Sequence, residues 1–483
     1  MTNGGLLGRV LRAAGVEATY GAPLAGVDVV PVPSIRVAAL MADAHRRVHL
    51  RPAAVHHGDG LLVIGGDIGS DAAGSVDPPF GSSSGETSGA APGGSSDGTP
   101  AGSSGGAPAV GSFTGAPSAG SPIVVSSADD LLGLVDAVHT AAWAGPGGGG
   151  AGLVVQLALD LDASAPDVVP PSPTPIDRWV EPDDDLVAAL AAASRPVMLA
   201  GPGLVWAGAV PGLHAAATAA NLGVLNTWGA KGVFDWRSRH HLATVGLQAR
   251  DFELGGLAEA DLVVTTGLDP AESPAHRWRS AAPVVDVPPG ALDPLAARWW
   301  RPRGDIAVPP LRAGLARVTQ EGWASTTRPL APSLVTRHYG QVCGAGGIVA
   351  ADPGIAGYWV ARTFATTELG GAQVPAAPGA HGFAVACALV ARLRSPNRPI
   401  LAVVDEPMPE IVHEALDVAA RLGVAVPVEV WGADGESLPP DEHLARLRSL
   451  VSAEHPRPVG LEVDGTQLGW MIDVAGDVVA WHT

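Results

Sequence analysis

The sequence predicts an α/β fold in which helices flank parallel sheets, and three features lead to that prediction. Apolar runs of strand length alternate with helix-length segments, most regularly over residues 195–269. Strict alternation of this kind implies right-handed crossovers on a parallel sheet. Of the 483 residues, 47% are hydrophobic and 16% charged, which is enough apolar material for two or three buried cores. Segments rich in Gly, Ser or Pro divide the chain as linkers would.

The amino-terminal third begins with helical and strand-like patterns that are interrupted by a long biased segment. Residues 66–120 are dense in Gly, Ser and Pro. Such a composition predicts a disordered insert, because it has too few apolar side chains to offset the conformational entropy lost on folding. The Pro-rich residues 166–178 predict a stiff linker. Around these segments the spacing of apolar residues predicts helices at 6–15, 34–47 and 128–143 and strands at 16–21, 123–125 and 153–160.

The remaining two thirds alternate strand and helix patterns with few interruptions. Glycines follow several of the helical segments, as they do at helix ends. The pattern predicts strands at 196–200, 224–225, 261–269, 347–352 and 426–431, and helices at 210–222 and 334–342. Asp434 and Gly435 predict a turn after the strand at 426–431.

Composition limits the classes of partner and the cell compartment. The formal net charge of −19 argues against nucleic acids and anionic membranes, because phosphate binding needs a basic surface. No apolar run reaches the roughly 18 residues that a bilayer span requires, and the first residues read as a helix, so we expect a cytoplasmic protein. Cys343 and Cys387 lie in apolar, helix-like segments, which predicts that both thiols are buried.

Several segments resemble one enzyme family. TWGAKGVF, which begins at Thr227, is followed by HHLATVGLQ and by ADLVVTTGLD at residues 260–269. Together they resemble the central domain of thiamine-diphosphate-dependent enzymes of the acetolactate synthase and pyruvate oxidase group. The resemblance implies three α/β domains: a pyrimidine-binding-like first domain (1–165), a Rossmann-like central domain (179–330) and a diphosphate-binding-like third domain (331–483).

The resemblance also assigns a position to the family's catalytic glutamate. AALMADAHRR at residues 38–47 is similar to the helix that follows this glutamate in the family, and the alignment puts Ile35 at the glutamate's position. In the family that carboxylate exchanges a proton with the aminopyrimidine of the cofactor, and loss of such acid–base help costs about 10²–10⁴ in rate. The chain has no glutamate between Glu17 and Glu86. We therefore expect no catalytic residue in the first domain.

In the third domain the resemblance points to a degenerate magnesium and diphosphate site. The family's strand runs into Gly-Asp-Gly, and this Asp, a later Asn and a backbone carbonyl hold Mg²⁺, which binds the diphosphate. Here the strand ends Val-Asp405-Glu406-Pro407, residues 431–433 stand at the asparagine spacing, and no asparagine follows Asn397. Asp405 is the one remaining metal-ligand type, Glu406 adds negative charge, and Pro407 removes a backbone donor. We expect neither thiamine diphosphate nor Mg²⁺ to be held.

The central domain contains a glycine turn with two interpretations. Gly201 and Gly203 flank Pro202 at the carboxyl end of the predicted strand 196–200. Such a turn can receive a nucleotide phosphate, and some relatives bind FAD in this domain. Close packing of strand against helix explains the glycines equally well.

Three functions follow from these observations. The first is a catalytically degenerate, non-catalytic or regulatory subunit, assembled as a homo-oligomer or with an active family member. The second is a divergent decarboxylase or carboligase of 2-oxo acids that uses thiamine diphosphate and Mg²⁺ through Asp405 and Glu406. The third is a nucleotide-binding protein, for FAD or ADP, that uses Gly201 and Gly203.

Overall fold

Three sheets, each flanked by helices, make up the fold, which confirms the predicted α/β class. The computed structural model describes residues 1–57, 60–64, 122–143, 152–174, 180–278, 280–298 and 304–481. The predicted insert at 66–120 lies outside these residues. Among the described residues, no helix is both long and apolar enough to cross a membrane.

The first domain contains a mixed six-stranded sheet in the order β2-β1-β3-β4-β6-β5. Strand β4 pairs antiparallel with both of its neighbours, so this sheet is not entirely parallel as predicted. The strands are β1 (Ala18–Gly21), β2 (Val30–Pro31), β3 (Ala53–His56), β4 (Leu61–Ile64), β5 (Ile123–Val125) and β6 (Leu153–Leu157). The helices are α1 (Asn3–Ala13), α2 (Ile35–His49) and α3 (Ala128–Trp143).

The central domain contains a parallel five-stranded sheet in the order β11-β10-β7-β8-β9. Its inner strands are buried on both faces, as expected for a parallel sheet covered by helices. The strands are β7 (Pro196–Ala200), β8 (Val224–Thr227), β9 (His241–Val245), β10 (Leu262–Thr266) and β11 (Val284–Asp286). The helices are α4 (Asp184–Ala192), α5 (Pro202–Trp206), α6 (Val210–Ala219) and α7 (Leu292–Arg298), and α8 (Pro310–Trp323) leads to the third domain.

The third domain repeats this design with the order β13-β12-β14-β15-β16, again all parallel. The strands are β12 (Ile348–Ala351), β13 (Ala372–Gln373), β14 (Ile400–Asp405), β15 (Val428–Glu436) and β16 (Val459–Leu461). The helices are α9 (Pro332–Cys343), α10 (Ile355–Thr363), α11 (Phe383–Arg394), α12 (Glu410–Arg421), α13 (Pro440–Ser452) and α14 (Thr466–Ala475).

One predicted turn is wrong. Asp434 and Gly435 lie inside β15, which continues past Trp431 to Glu436 after a shift in its pairing register. The neighbouring strand β16 explains the difference, because Leu461 pairs with both Trp431 and Glu436 and keeps the bulged segment in the sheet.

The domains share buried contacts. Apolar residues of α2 pack with those of α11 and α12 in one core that joins the first and third domains. Between the central and third domains, Arg362 of α10 donates two hydrogen bonds to Asp251, at 2.8 and 2.7 Å, and a third to the carbonyl of Thr244 at 2.7 Å. Both charged side chains are completely buried. These contacts fix the third domain against the first domain on one side and against the central domain on the other.

Candidate functional site

A cavity of about 550 Å³ opens at the carboxyl edge of the third sheet. The carboxyl ends of parallel strands are where open α/β sheets bind ligands. Strands β12, β14 and β15 deliver Asp352, Asp405, Glu406 and Trp431 to its wall, and Glu462 follows β16. The remaining lining residues are Pro353, Gly354, Ile355, His381, Pro407, Pro409, Gly432, Ala433 and Val463.

Asp405, the residue that the sequence resemblance assigns to a metal-ligand position, caps a helix. Both of its oxygens lie near the backbone N–H of Ala356, at 3.0 and 3.2 Å, in the first turn of α10. Gly354 makes the close approach possible, because its φ is +136° and a Cβ there would lie 2.2 Å from the Asp405 Oδ2. The carboxylate thus satisfies helix donors that have no partner within the helix itself.

Asp352 caps the neighbouring helix in the same way. Its Oδ2 accepts a hydrogen bond from the Gly382 N–H and its Oδ1 accepts one from the Ala384 N–H, both at 2.7 Å. Asp352 is only 2% exposed, so a buried carboxyl group of the chain itself lies at the start of α11. The N–H groups at a helix start are a common binding site for phosphate, and here a side chain of the chain itself takes two of them.

Glu406 is folded back onto the strand beside it. A Cβ at Gly432 would lie 1.9 Å from the Glu406 Oε2, so only glycine leaves room for this carboxylate. The same oxygen accepts a weak hydrogen bond of 3.3 Å from the backbone N–H of Asp434. Next in the chain, Pro407 and Pro409 provide no backbone N–H, and α12 begins without a side-chain cap.

The cavity wall is acidic and partly desolvated. Burial raises the pKa of Asp352 to about 7 and that of Asp405 to about 6. Burial also lowers the pKa of His381, the one basic side chain among the described residues that line the cavity, which favours its neutral form. An incoming diphosphate would therefore meet carboxylates without a fixed cation.

The described residues contain no group of three or more His, Cys, Asp or Glu side chains placed to hold a metal ion. Asp405 and Glu406 adjoin in sequence, but each contacts a different backbone segment. Magnesium prefers near-octahedral oxygen ligands, which these residues do not present.

Ile35 starts α2 and lies apart from this cavity. It is half-buried against the core that joins the first and third domains, and Ser34 before it caps the helix by accepting the Val37 N–H. Ser34 also donates a hydrogen bond to Glu414 of α12. No described residue of the first domain lines the cavity at Asp405, so the single chain does not bring Ile35 and Asp405 to one site.

Backbone atoms at the end of β10 occupy the space beside the glycine turn at Gly201 and Gly203. The N–H of Gly201 donates to the Thr266 carbonyl at 2.9 Å, and that of Gly203 donates to the Gly267 carbonyl at 2.8 Å. A Cβ at Gly201 would lie 2.4 Å from the Gly267 oxygen. This geometry requires glycine for close packing, and nucleotide binding at the turn stays a prediction that the geometry does not favour.

Sequence reasoning did not single out three polar residues of the cavity, namely Asp352, His381 and Glu462. A signal was present for Asp352, which directly follows β12, just as Asp405 ends β14. The structure also shows why Trp431 is fixed in the wall. Its indole N–H lies 2.7 Å from the Tyr339 hydroxyl and 3.2 Å from Glu429, both buried.

Comparison with known proteins agrees with the resemblance in the sequence. Residues 184–289 match the family model described as the thiamine pyrophosphate enzyme central domain. An acetolactate synthase from Mycobacterium avium is 23% identical over 279 residues, which cover 50% of this chain and 43% of that synthase. The chain therefore matches less than half the length of this relative.

Proposed function

The chain is related to the thiamine-diphosphate-dependent enzymes, with similarity to acetolactate synthase, and from that relationship we propose that it is a non-catalytic or regulatory member of the family. It keeps the α/β scaffold and lacks the groups that would hold and activate the cofactor. The proposal covers both halves of the family's site, the magnesium–diphosphate half in the third domain and the proton-transfer half in the first.

One observation carries the proposal. At the carboxyl edge of the third sheet, Asp352 and Asp405 occupy the backbone N–H groups at the starts of α11 and α10. A diphosphate would have to displace these internal carboxylates, and Glu406 would add further repulsion. Nearby anions without compensating cations are unfavourable, more so where water is partly excluded.

Ile35 supports the proposal from the other half of the site. An isoleucine side chain can neither donate nor accept a proton, and here it is half-buried against an apolar core. In the family, sites form from the first domain of one subunit and the third domain of another. An active partner could supply one half for each site, but this chain would still contribute a defective half to every site that it shares. We therefore propose a homo-oligomer, or a hetero-oligomer with an active relative, in which the chain's contribution is structural.

The test is isothermal titration of the purified chain with thiamine diphosphate in the presence of Mg²⁺, with an active acetolactate synthase as the positive control. We expect no saturable heat at micromolar cofactor. A saturable, Mg²⁺-dependent heat would contradict the proposal.

A second candidate, a divergent 2-oxo acid decarboxylase or carboligase, is favoured by the cavity itself. Its volume of about 550 Å³ is ample for a ligand, and Asp405 and Glu406 both line it. This candidate requires CO₂ release from pyruvate after addition of thiamine diphosphate and Mg²⁺, and loss of that activity in Asp405→Asn. An inactive protein that nevertheless folds would eliminate it.

A further inference from the structure

A second, smaller cleft of about 80 Å³ lies where the three domains meet. Arg47 of α2, Lys231 of the central domain and Arg398 of the third domain all line it. Arg398 precedes β14 at its amino end, whereas Asp405 ends the same strand. The cleft therefore lies at the opposite edge of the third sheet from the acidic cavity, and it is distinct from it.

The charged side chains that line the cleft are basic, whereas the chain as a whole is acidic, and the buried carboxylates of Asp43 and Glu272 lie behind Arg47 and partly offset its charge. Three of its described lining residues are basic and none is acidic, although the chain carries a formal net charge of −19. Two of the three are held in place by neighbours. The Arg47 Nε lies 3.0 and 2.9 Å from the two carboxylate oxygens of Asp43, and the Arg398 Nε donates to the Gly346 carbonyl at 2.6 Å.

Lys231 is the only lysine among the 29 basic Lys and Arg residues of the sequence. Its side chain is 7% exposed, and its ammonium has no hydrogen bond or ion pair with any described residue. Burial and the charge of Arg362 lower the pKa of this lysine to about 7. A buried amine without a counter-charge is costly, and that cost falls if an anion binds beside it.

Apolar side chains complete the wall of the cleft and reduce access of water. Val205 and Trp206 of α5 and Leu369 form this part. The guanidinium of Arg46 lies 4.4 Å from the centre of the Trp206 ring, which keeps further positive charge nearby. Charge–charge attraction is stronger where water is excluded, so an anion in the cleft would interact more strongly than one on the surface.

We propose that this junction cleft binds a compact oxyanion, a phosphate or a small carboxylate, through Arg47, Lys231 and Arg398. Because each of the three cations comes from a different domain, the bound anion stabilises the three-domain arrangement as a whole. The proposal does not depend on whether the cavity at Asp405 binds thiamine diphosphate.

The charges around Lys231 determine how it responds to an anion. Arg362 lies close enough to lower the lysine pKa, and its own charge is compensated by the buried Asp251. His241 faces the lysine from β9, and burial together with the charges of Lys231 and Arg312 lowers the pKa of His241 to about 3, so it stays neutral. A bound anion therefore raises the pKa of Lys231, because an opposite charge nearby favours the ammonium form.

The sole lysine makes this response directly measurable. Reductive ¹³C-methylation labels only Lys231 and the terminal amine, and NMR then follows the lysine signal from about pH 5.5 to about pH 10 in the full chain. We expect phosphate or sulfate to raise the Lys231 pKa by about one pH unit relative to chloride at equal ionic strength. Equal pKa values in phosphate and chloride would overturn the proposal.

Thermal unfolding of variants provides a second readout. We expect phosphate to raise the Tm of the wild type and to have no such effect on Lys231→Met or Arg398→Ala. Arg317→Ala is the matched control, since Arg317 is an exposed arginine that pairs with Glu321 on α8 and does not line the cleft, and it should respond as the wild type does. Equal stabilisation of all four proteins would overturn the proposal.

Discussion

The carboxylate of Asp352 lies 2.7 Å from the backbone nitrogen of Gly382, 30 residues farther along the chain, and the same carboxylate reaches Ala384 at 2.7 Å. The start of α11 is thereby neutralised from within the third domain. Asp405 does the same for α10. The two caps explain how the carboxyl edge of this sheet is stable with its helix donors satisfied and without an external anion.

Replacing Asp352 by Ala should destabilise the protein. The change leaves the Gly382 and Ala384 N–H groups without their buried acceptor. We expect a loss of about 1–3 kcal/mol, the usual cost of a buried donor without an acceptor. Urea unfolding at about pH 6 measures it, because burial raises the folded pKa of Asp352 to about 7 and stability from such a group is lost as the pH rises through that value. Asp28→Ala, at an exposed position, is the control, and equal midpoints for both variants would show that the cap contributes nothing.

Asp405 should make the protein less stable as the pH rises. Burial raises its folded pKa to about 6, so between the unfolded pKa of about 4 and pH 6 the folded state binds more protons than the unfolded state. Stability from this group is complete below the unfolded pKa and is lost as the pH rises through the folded value. We expect wild type to lose about 1 kcal/mol relative to Asp405→Asn between pH 5 and 7. Parallel pH profiles of urea midpoints would contradict this.

The substitution Arg362→Met should lower the free energy of unfolding by weakening the contact between the central and third domains. The change leaves the carboxylate of Asp251 buried without its bidentate partner, and breaking such a pair costs about 3–5 kcal/mol. The double variant Arg362→Met with Asp251→Leu removes both charges and should recover most of that loss. Urea unfolding, monitored by tryptophan fluorescence, measures the stabilities of the wild type, the single variant and the double variant. If the double variant is as unstable as the single one, packing and not charge explains the defect.

Both thiols should be inert in the folded chain. Cys343 is 2% exposed and Cys387 is fully buried, and burial raises the pKa of each thiol to about 12. The reactive species is the thiolate, so we expect a thiol reagent to modify neither residue at pH 7.5 and both after denaturation. Rapid modification of the native protein would show that one of the two helices opens locally.

Much of the fold could be predicted from local pattern. Strand 196–200 and helix 128–143 were predicted at the bounds that the structure shows, and the central domain was recognised from the motif around Thr227. Burial of both cysteines was likewise predicted from their apolar surroundings and is confirmed. These features depend on the period of apolar residues along a few turns or a few strand residues.

The polar arrangement could not be predicted in the same way. The sequence shows Asp405 followed by Glu406 and Pro407, but not that Asp405 faces Ala356 while Glu406 folds onto Gly432. These contacts join residues that are distant in the chain, and they depend on which strands are neighbours in the sheet. The surroundings of Lys231 could not be predicted either. Its sequence motif indicates a turn, but Arg47 and Arg398 line the same cleft only because three domains meet there.

The sequence by itself determined the α/β class, the resemblance to thiamine-diphosphate enzymes and the absence of a glutamate near position 35. Only the tertiary structure decided that the carboxylates of the third domain cap its own helices, and that the basic side chains gather at the other edge of the sheet. The physical reason is that secondary structure follows from short-range periodicity, whereas the charge of a site is the sum of groups brought together by folding from distant parts of the chain.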